Sequence, residues 1–377
     1  MQEKNSIYLS LGSNVGDRIN NLQQAVDRVF ETIGDVVSIS PVYKTASWGF
    51  ESDYFYNICI KIDTFYATRE VLNHLLIIEE NLGRIRTVSQ GYQARKIDLD
   101  IILSSEGVID KVDLKVPHPA MPDRIFVLKP LADIAADVIH DQLHVPVKEL
   151  LVRTTDTSGI QRLDHPLRNP KENYNLSKFQ YLTIEGNIGA GKTSLSHMIA
   201  EEFNGKLVLE QFADNPFLPK FYEDMDRYAF PLEMSFLADR YQRLQDDIAQ
   251  FDLFTDFVVS DYDVFKSLIF AKITLQEEEF KLYKKVFDLM YTNLPKPGLY
   301  VYLYQNTERL LQNIKDRARA YEQKIPAEYL EKINKGYLQF IQSKSDFNFK
   351  IVDVSSYDFI KNRRDYIAVL KQLTNSY

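Results

Sequence analysis

The run Phe179-Gln180-Tyr181-Leu182-Thr183-Ile184-Glu185-Gly186-Asn187-Ile188-Gly189-Ala190-Gly191-Lys192-Thr193-Ser194 sets the course of the second half of this chain, because it reads as a strand, a glycine-rich loop and a helix start. It fits G-x-x-x-x-G-K-[ST] at every specified position. Gly186, Gly189 and Gly191 let backbone N–H groups turn inward around phosphate oxygens, so the whole loop with Asn187, Ile188, Ala190 and Ser194 is a candidate phosphate cradle. The N-terminus of the following helix adds a partial positive charge and Lys192 a full one. Thr193 would ligate Mg²⁺. A plain glycine turn is the competing reading; the apolar strand before the loop and Leu195-Ser196-His197-Met198-Ile199-Ala200 after it favour phosphate.

With 377 residues the chain has room for two domains, each with its own core. A hydrophobic content of 45% beside 26% charged residues predicts a soluble globular protein. The net charge of -8 argues against a general nucleic-acid binder, so local clusters of basic residues are expected to serve small anionic ligands. Cys59, the only cysteine, cannot form an internal disulfide and reads as a small buried hydrophobe within Ile58-Cys59-Ile60. No apolar run is long enough to span a bilayer and Met1-Gln2-Glu3-Lys4-Asn5 has no signal-peptide core, so a cytoplasmic location without membrane partners is expected.

Working back from the loop, residues 153–178 are polar and rich in Thr, Ser, Asn and Pro, which reads as a linker. Before it, residues 1–152 alternate: a strand at Ile7 to Leu11, a helix at Arg18 to Thr32, strands at Val36 to Tyr43 and Asn57 to Ile62, a helix at Thr68 to Leu82 and a strand at Ile97 to Leu103. That βαββαβ order predicts a two-layer ferredoxin-like α+β sandwich. After the linker, residues 179–377 predict a parallel sheet wrapped by helices, with long helical stretches at Phe230 to Ala249 and Glu308 to Tyr321. The fold class is therefore α/β in two domains.

In the first domain the informative piece is Arg95-Lys96-Ile97-Asp98-Leu99-Asp100-Ile101-Ile102-Leu103. On a strand Asp98 and Asp100 share one face and Ile97, Leu99 and Ile101 the other. Two adjacent carboxylates repel unless a cation sits between them, and Mg²⁺ held jointly with substrate phosphates is the natural one. A half-exposed polar edge is the alternative. Arg84, Arg95, Lys96, His118 and Arg124 lie close in sequence to that pair, and guanidinium forks match phosphate oxygens.

Gly12-Ser13-Asn14 after the first strand, Tyr43-Lys44-Thr45, Asn57, Gly83-Arg84-Ile85-Arg86, Arg95 to Asp100 and Pro117-His118 to Arg124 follow in family order, and residues 5 to 150 resemble hydroxymethyl-dihydropterin pyrophosphokinase of folate biosynthesis. The resemblance implies transfer of a diphosphate from ATP to the hydroxymethyl group of a dihydropterin, with release of AMP. It implies that Asp98 and Asp100 hold Mg²⁺, that Arg84, Arg95, His118 and Arg124 contact the triphosphate or assist catalysis, and that Thr45, Phe55, Asn57 and Phe126 line the pterin pocket with Glu79 between the substrates. Where the family has an aromatic-Gly-Pro stretch before the arginine, this chain has Tyr92-Gln93-Ala94.

A phosphate loop by itself names no acceptor. In the second domain Lys206-Leu207-Val208-Leu209-Glu210 reads as a second parallel strand ending in a carboxylate placed to take a proton from an attacking hydroxyl, with a surface glutamate as the alternative. Phe257-Val258-Val259-Ser260 reads as a third strand, ending at Asp261, a candidate Mg²⁺ ligand. Arg317 and Arg319 on an arginine-rich helix suggest a lid over phosphates, against a solvated helical face. Together with Asp214-Asn215-Pro216-Phe217-Leu218, Phe221-Tyr222, Phe236 to Arg240 and Arg317 to Glu322, the loop makes the domain similar to the deoxynucleoside kinase family, in its bacterial purine branch. That resemblance implies Glu210 as base on the 5′-hydroxyl, Tyr222 and Glu322 as partners of the 3′-hydroxyl, and Lys192, Arg317 and Arg319 as the γ-phosphate clamp.

Two positions depart from the pattern. The family's acidic-Arg-Ser triplet is Asp261-Tyr262-Asp263 here, with Arg240 a candidate replacement for the arginine, and the base-reading glutamine is Glu233. An ionised carboxylate only accepts hydrogen bonds, which suits guanine, whereas a protonated one could serve adenine. The expectation is a bifunctional transferase acting on small molecules, dimeric through its kinase domain as that family generally is. The rivals are a chain with one decayed domain and a nucleotide-sensing loop domain that regulates the other.

Overall fold

The computed structural model describes residues 3–46, 52–84, 95–210, 215–249, 254–292, 294–319, 322–343 and 347–375, without the side chains of 248 and 249. They divide into two units, Met1–Tyr174 and Asn175–Tyr377.

The first unit runs β1 (Asn5–Ser13), α1 (Arg18–Thr32), β2 (Asp35–Ile39), β3 (Tyr43–Thr45), β4 (Phe55–Thr64), α2 (Thr68–Asn81) and β5 (Asp98–Ser104). It continues through β6 (Ile109–Lys111), β7 (Leu114–Val116), α3 (Ile125–Ala135), β8 (Ile139–His140), β9 (Val145–Pro146), α4 (Val147–Arg153) and β10 (Ile160–Arg162). Its main sheet is antiparallel in the order β10, β3, β4, β1, β5, with β2 also on β4. Asp17 caps α1 by accepting the Asn20 N–H at 3.1 Å, and Leu22, Val26, Val29 and Phe30 bury one helical stripe. Each such side chain contributes about 1.5–3 kcal/mol on burial.

Three sequence expectations change. The strand read at Val36 to Tyr43 is two, because Pro41 has no N–H to give the ladder; Ser40 fills the break, its Oγ accepting from Cys59 N at 2.9 Å. Helix α3 was not anticipated, since Pro130 and an almost unbroken apolar run hide its period. The stretch read as linker, 153–178, holds β10, which pairs Ile160 with Thr45 and Arg162 with Tyr43, and a short turn that brings Tyr174 within 5.8 Å of Phe30. Edge pairing uses backbone groups, so polar composition does not reveal it.

The second unit runs β11 (Tyr181–Gly186), α5 (Lys192–Glu202), β12 (Gly205–Val208), α6 (Leu218–Glu223), α7 (Met225–Ala249), β13 (Phe257–Ser260), α8 (Phe265–Thr274) and α9 (Glu277–Tyr291). Next come β14 (Leu299–Tyr304), α10 (Thr307–Arg317), α11 (Ala327–Ser343), β15 (Phe349–Asp353) and α12 (Arg363–Thr374). The sheet is parallel throughout in the order β12, β13, β11, β14, β15, so the phosphate loop leaves its central strand. Ligands in such sheets sit beyond the carboxyl ends of the strands. β12 stops at Val208, two residues before Glu210, and α10 stops at Arg317 because Ala318 takes a left-handed φ of 56°. Arg319 therefore lies past the helix that was expected to carry it.

Candidate functional site

In the first unit the β1–β5 register sets Asp98 opposite Gly12 and Asp100 opposite Ser10, at the end of the sheet where α2 finishes. One pocket there is lined by Thr45, Phe55, Asn57, Glu79, Arg84, Arg95, Asp98, Asp100, His118, Arg124 and Phe126, whereas Lys96 is exposed and does not line it. Glu79, buried near the end of α2, accepts the Leu99 N–H at 2.8 Å and pairs with Arg84. Arg84 also reaches Asp98 Oδ1 at 2.5 Å, and Arg95 reaches Asp98 Oδ2 at 2.7 Å.

Asp98 is thus neutralised from two sides, whereas the carboxyl of Asp100 is pushed up to about 7 by burial first and then by the charges of Asp98 and Glu79. His118 accepts the Ala120 N–H at Nδ1 (3.2 Å), which leaves the proton of the neutral ring on Nε2; burial, then Arg124, holds its pKa down. Among the described residues no group of three or more His, Cys, Asp or Glu is arranged to hold a metal ion unaided. Two aspartates completed by phosphate oxygens are nevertheless a donor set that Mg²⁺ accepts, and Asp100, half-buried beside the charges of Asp98 and Glu79, is a fitting ligand.

Sequence reading assigned no role to four contributors. Asn14 accepts the Arg95 N–H at 2.7 Å and donates its own to the Arg95 carbonyl at 3.2 Å, fixing where that guanidinium starts. The signal was there, in Gly12-Ser13-Asn14 directly after a strand. Leu72, Asn73 and Leu76 supply one wall from α2. Tyr92-Gln93-Ala94, Ile85, Arg86 and Asp214 lie outside the described residues.

In the second unit a pocket over the sheet's carboxyl edge is lined by Ile188, Gly189, Lys192, Thr193, Glu210, Tyr222, Glu233, Asp261, Arg317, Arg319 and Glu322. Leu218, Phe221, Leu232, Phe236, Phe270 and Tyr329 add apolar walls, and Arg240 and Lys266 two more cations. The remaining loop residues Gly186, Asn187, Ala190, Gly191 and Ser194 do not line it. Asn187 instead braces the loop, donating to Leu330 O and Asn334 Oδ1 at 2.8 Å each, while its carbonyl accepts from Lys192 Nζ at 2.9 Å.

Gly191 has φ 89°, and a Cβ there would stand 2.7 Å from the Phe359 ring. Gly191→Ala should therefore lower the thermal midpoint of this unit by a cost of about 1–3 kcal/mol and weaken triphosphate binding, both readable in one melting series with and without nucleotide.

Thr193 Oγ1 donates to Asp261 Oδ2 at 2.5 Å, and Asp261 Oδ1 accepts the Glu210 N–H at 2.7 Å, so one aspartate ties the loop to the segment just beyond β12 that carries Glu210. The Glu210 carboxylate, 9% exposed, takes Arg240 Nε and Nη2 on Oε1 (2.8 and 2.6 Å) and Lys266 Nζ on Oε2 (2.5 Å). Burial alone would raise its pKa, but Lys266 and Arg240 overcome it and hold the group well below the usual carboxylate range. Lys192 is lowered to about 8 by loss of hydration and then by Lys266. Arg317 and Arg319 both pair with Glu322.

Tyr262, where the family has an arginine, is fully buried in the core with Leu237, Val258 and Phe265. In the same pocket Glu233 accepts from Thr274 Oγ1 at 3.2 Å, its Oε2 is buried with no partner among the described residues, and burial pushes its pKa up to about 7.

A deoxynucleoside kinase family model matches residues 182–376, and a 7,8-dihydro-6-hydroxymethylpterin-pyrophosphokinase family model matches residues 8–136. The chain is 36% identical over 190 residues to a deoxyguanosine kinase of Bacillus subtilis, covering 49% of this chain and 92% of the relative. It is 38% identical over 151 residues to a 2-amino-4-hydroxy-6-hydroxymethyldihydropteridine pyrophosphokinase of Aquifex aeolicus, covering 40% of this chain and 92% of the relative. A solved structure of deoxyadenosine kinase from M. mycoides with dCMP and dCDP bound superposes with a TM-score of 0.44 at 25% identity, over 50% of this chain and 97% of that one.

Proposed function

Since the chain belongs to the deoxynucleoside kinase family through its second unit and to the hydroxymethyl-dihydropterin pyrophosphokinase family through its first, we propose that it carries out two ATP-dependent, Mg²⁺-dependent transfers at separate sites. In the first, the hydroxymethyl oxygen of 6-hydroxymethyl-7,8-dihydropterin attacks the β-phosphorus of ATP, the bond to the α,β-bridging oxygen breaks and AMP leaves. Thr45, Phe55, Asn57 and Phe126 hold the pterin, Glu79 sits between the substrates, Arg84, Arg95 and Arg124 neutralise the phosphates, and His118 Nε2–H donates a hydrogen bond to them. Mg²⁺ held by Asp98 and Asp100 would supply charge neutralisation.

In the second, Glu210 removes the 5′-hydroxyl proton of a purine deoxynucleoside, whose oxygen attacks the γ-phosphorus. Lys192, Arg317 and Arg319 clamp the transferred group, Tyr222 and Glu322 receive the 3′-hydroxyl, and Thr193 with Asp261 would hold Mg²⁺. A single observation carries this reading: an ionised carboxylate only 9% exposed and the phosphate loop line one pocket, which also holds an unpartnered carboxylate oxygen on Glu233. Product assays with ATP and the hydroxymethyl-dihydropterin, and with ATP and each deoxynucleoside, test both activities.

The preferred base is guanine, whose N1–H and N2–H are adjacent donors for an ionised Glu233. The named activity of the Bacillus subtilis relative points the same way. Because Glu233 titrates at about 7, raising the pH from 6 to 8 ionises it and should raise the deoxyguanosine-to-deoxyadenosine ratio of kcat/KM about 10²-fold if the protonated form is the one that serves adenine. Glu233→Gln should flatten that dependence; a ratio that ignores pH in the unsubstituted chain would reject the assignment. A homodimer through the kinase unit and a cytoplasmic location belong to the same proposal by family resemblance, and light scattering of the purified chain tests the first.

A further inference from the structure

Glu210 is held by two cations of different character. Arg240 is spent: Nε and Nη2 fork onto Oε1 and Nη1 donates to Ser267 Oγ at 2.6 Å, with the guanidinium over the Phe236 ring. Lys266 contacts only Oε2 among the described hydrogen bonds, and an ammonium has three donors to give. Its position is built. Phe265 beside it packs against Tyr291 at 4.6 Å and Phe340 at 4.7 Å, and Asp263 Oδ1 accepts the Phe265 N–H at 2.9 Å, so the first turn of α8 is anchored while the ammonium faces the pocket. Lys266 lines that pocket together with Lys192 and Thr193 of the phosphate loop, so its ammonium shares one pocket with the base and with the loop that would cradle the phosphates.

We propose that Lys266 is a positioning residue for phosphoryl transfer, whose ammonium aims the Glu210 carboxylate at the substrate hydroxyl and then turns its charge to the phosphoryl group. The inference rests on the kinase reading of the second unit. The 5′-hydroxyl proton passes to Glu210, the O5′–phosphorus bond forms, and the bond to the β,γ-bridging oxygen breaks with its electron pair leaving on ADP. Once protonated, Glu210 no longer attracts Lys266, just as negative charge gathers on the phosphoryl oxygens. Arg240, whose Nε and Nη2 fork onto Oε1 while Nη1 holds Ser267 Oγ, keeps the carboxyl in place.

In the full chain assayed with ATP and deoxyguanosine, Lys266→Gln should lower kcat about 10²-fold while the deoxynucleoside KM stays within about threefold, and Lys266→Arg should regain about tenfold of the loss. Lys266→Met, closer in shape, takes the place of the glutamine variant if that one does not fold. A kcat within about threefold of the unsubstituted chain overturns the proposal. So does a KM that rises as far as kcat falls, or an arginine variant no better than glutamine, since either marks a scaffold role. An unsubstituted chain that phosphorylates no purine deoxynucleoside brings down the kinase reading itself, and shows it before any variant is compared.

Discussion

Replacing Lys192 by alanine should cut deoxynucleoside phosphorylation by about 10³-fold and leave diphosphate transfer to the dihydropterin untouched. The size follows from where the amine sits. Lys192 is the one full charge of the loop, held over it by the Asn187 carbonyl at 2.9 Å, and loss of hydration lowers it only to about 8, so it is still charged at pH 7. A charge in so dry a place acts on phosphate oxygens more strongly than one in water. Its selectivity follows from the division of the chain, because the first unit's proposed pterin, metal and phosphate contacts line a pocket of their own. Parallel assays of both products on one preparation read the result, and loss of both activities in folded protein would sink the two-site account.

Asp100→Asn should have the opposite distribution, with diphosphate transfer falling about 10²–10³-fold and the kinase activity unchanged. The same change should make the first unit more stable in the absence of Mg²⁺ and nucleotide. The fold raises the Asp100 pKa from 3.8 to about 7, through burial and the neighbouring Asp98 and Glu79. Stability that depends on its neutral form is therefore complete below about 4 and lost as the pH rises through about 7. The variant's melting advantage should be largest near pH 8 and vanish toward pH 4. A carboxylate that costs stability and is needed for turnover is what a metal ligand in an empty site looks like; a variant that melts lower at pH 8 would contradict that account.

Much of both sites was legible because their parts are local. The phosphate loop needs its glycines, lysine and hydroxyl within one short run, and the alternation of Asp98 and Asp100 needs only a strand, so spacing reports the geometry. Even the departure at Tyr262 could be seen, though not its consequence: a tyrosine there enters the core.

What the order of residues indicated, then, is the two candidate cradles and the layers that hold them, because hydrophobic period and glycine placement act over a few residues at a time. Tertiary structure decided which cations stand on Glu210, since Arg240 and Lys266 lie 30 and 56 residues from it and meet it only when α7 and α8 pack beside β12 and β13. It also decided that residues 160–162 close a sheet and that Glu233 is buried deep enough to titrate near 7. Backbone pairing and desolvation depend on neighbours brought together from afar, and no local pattern of residue types encodes them.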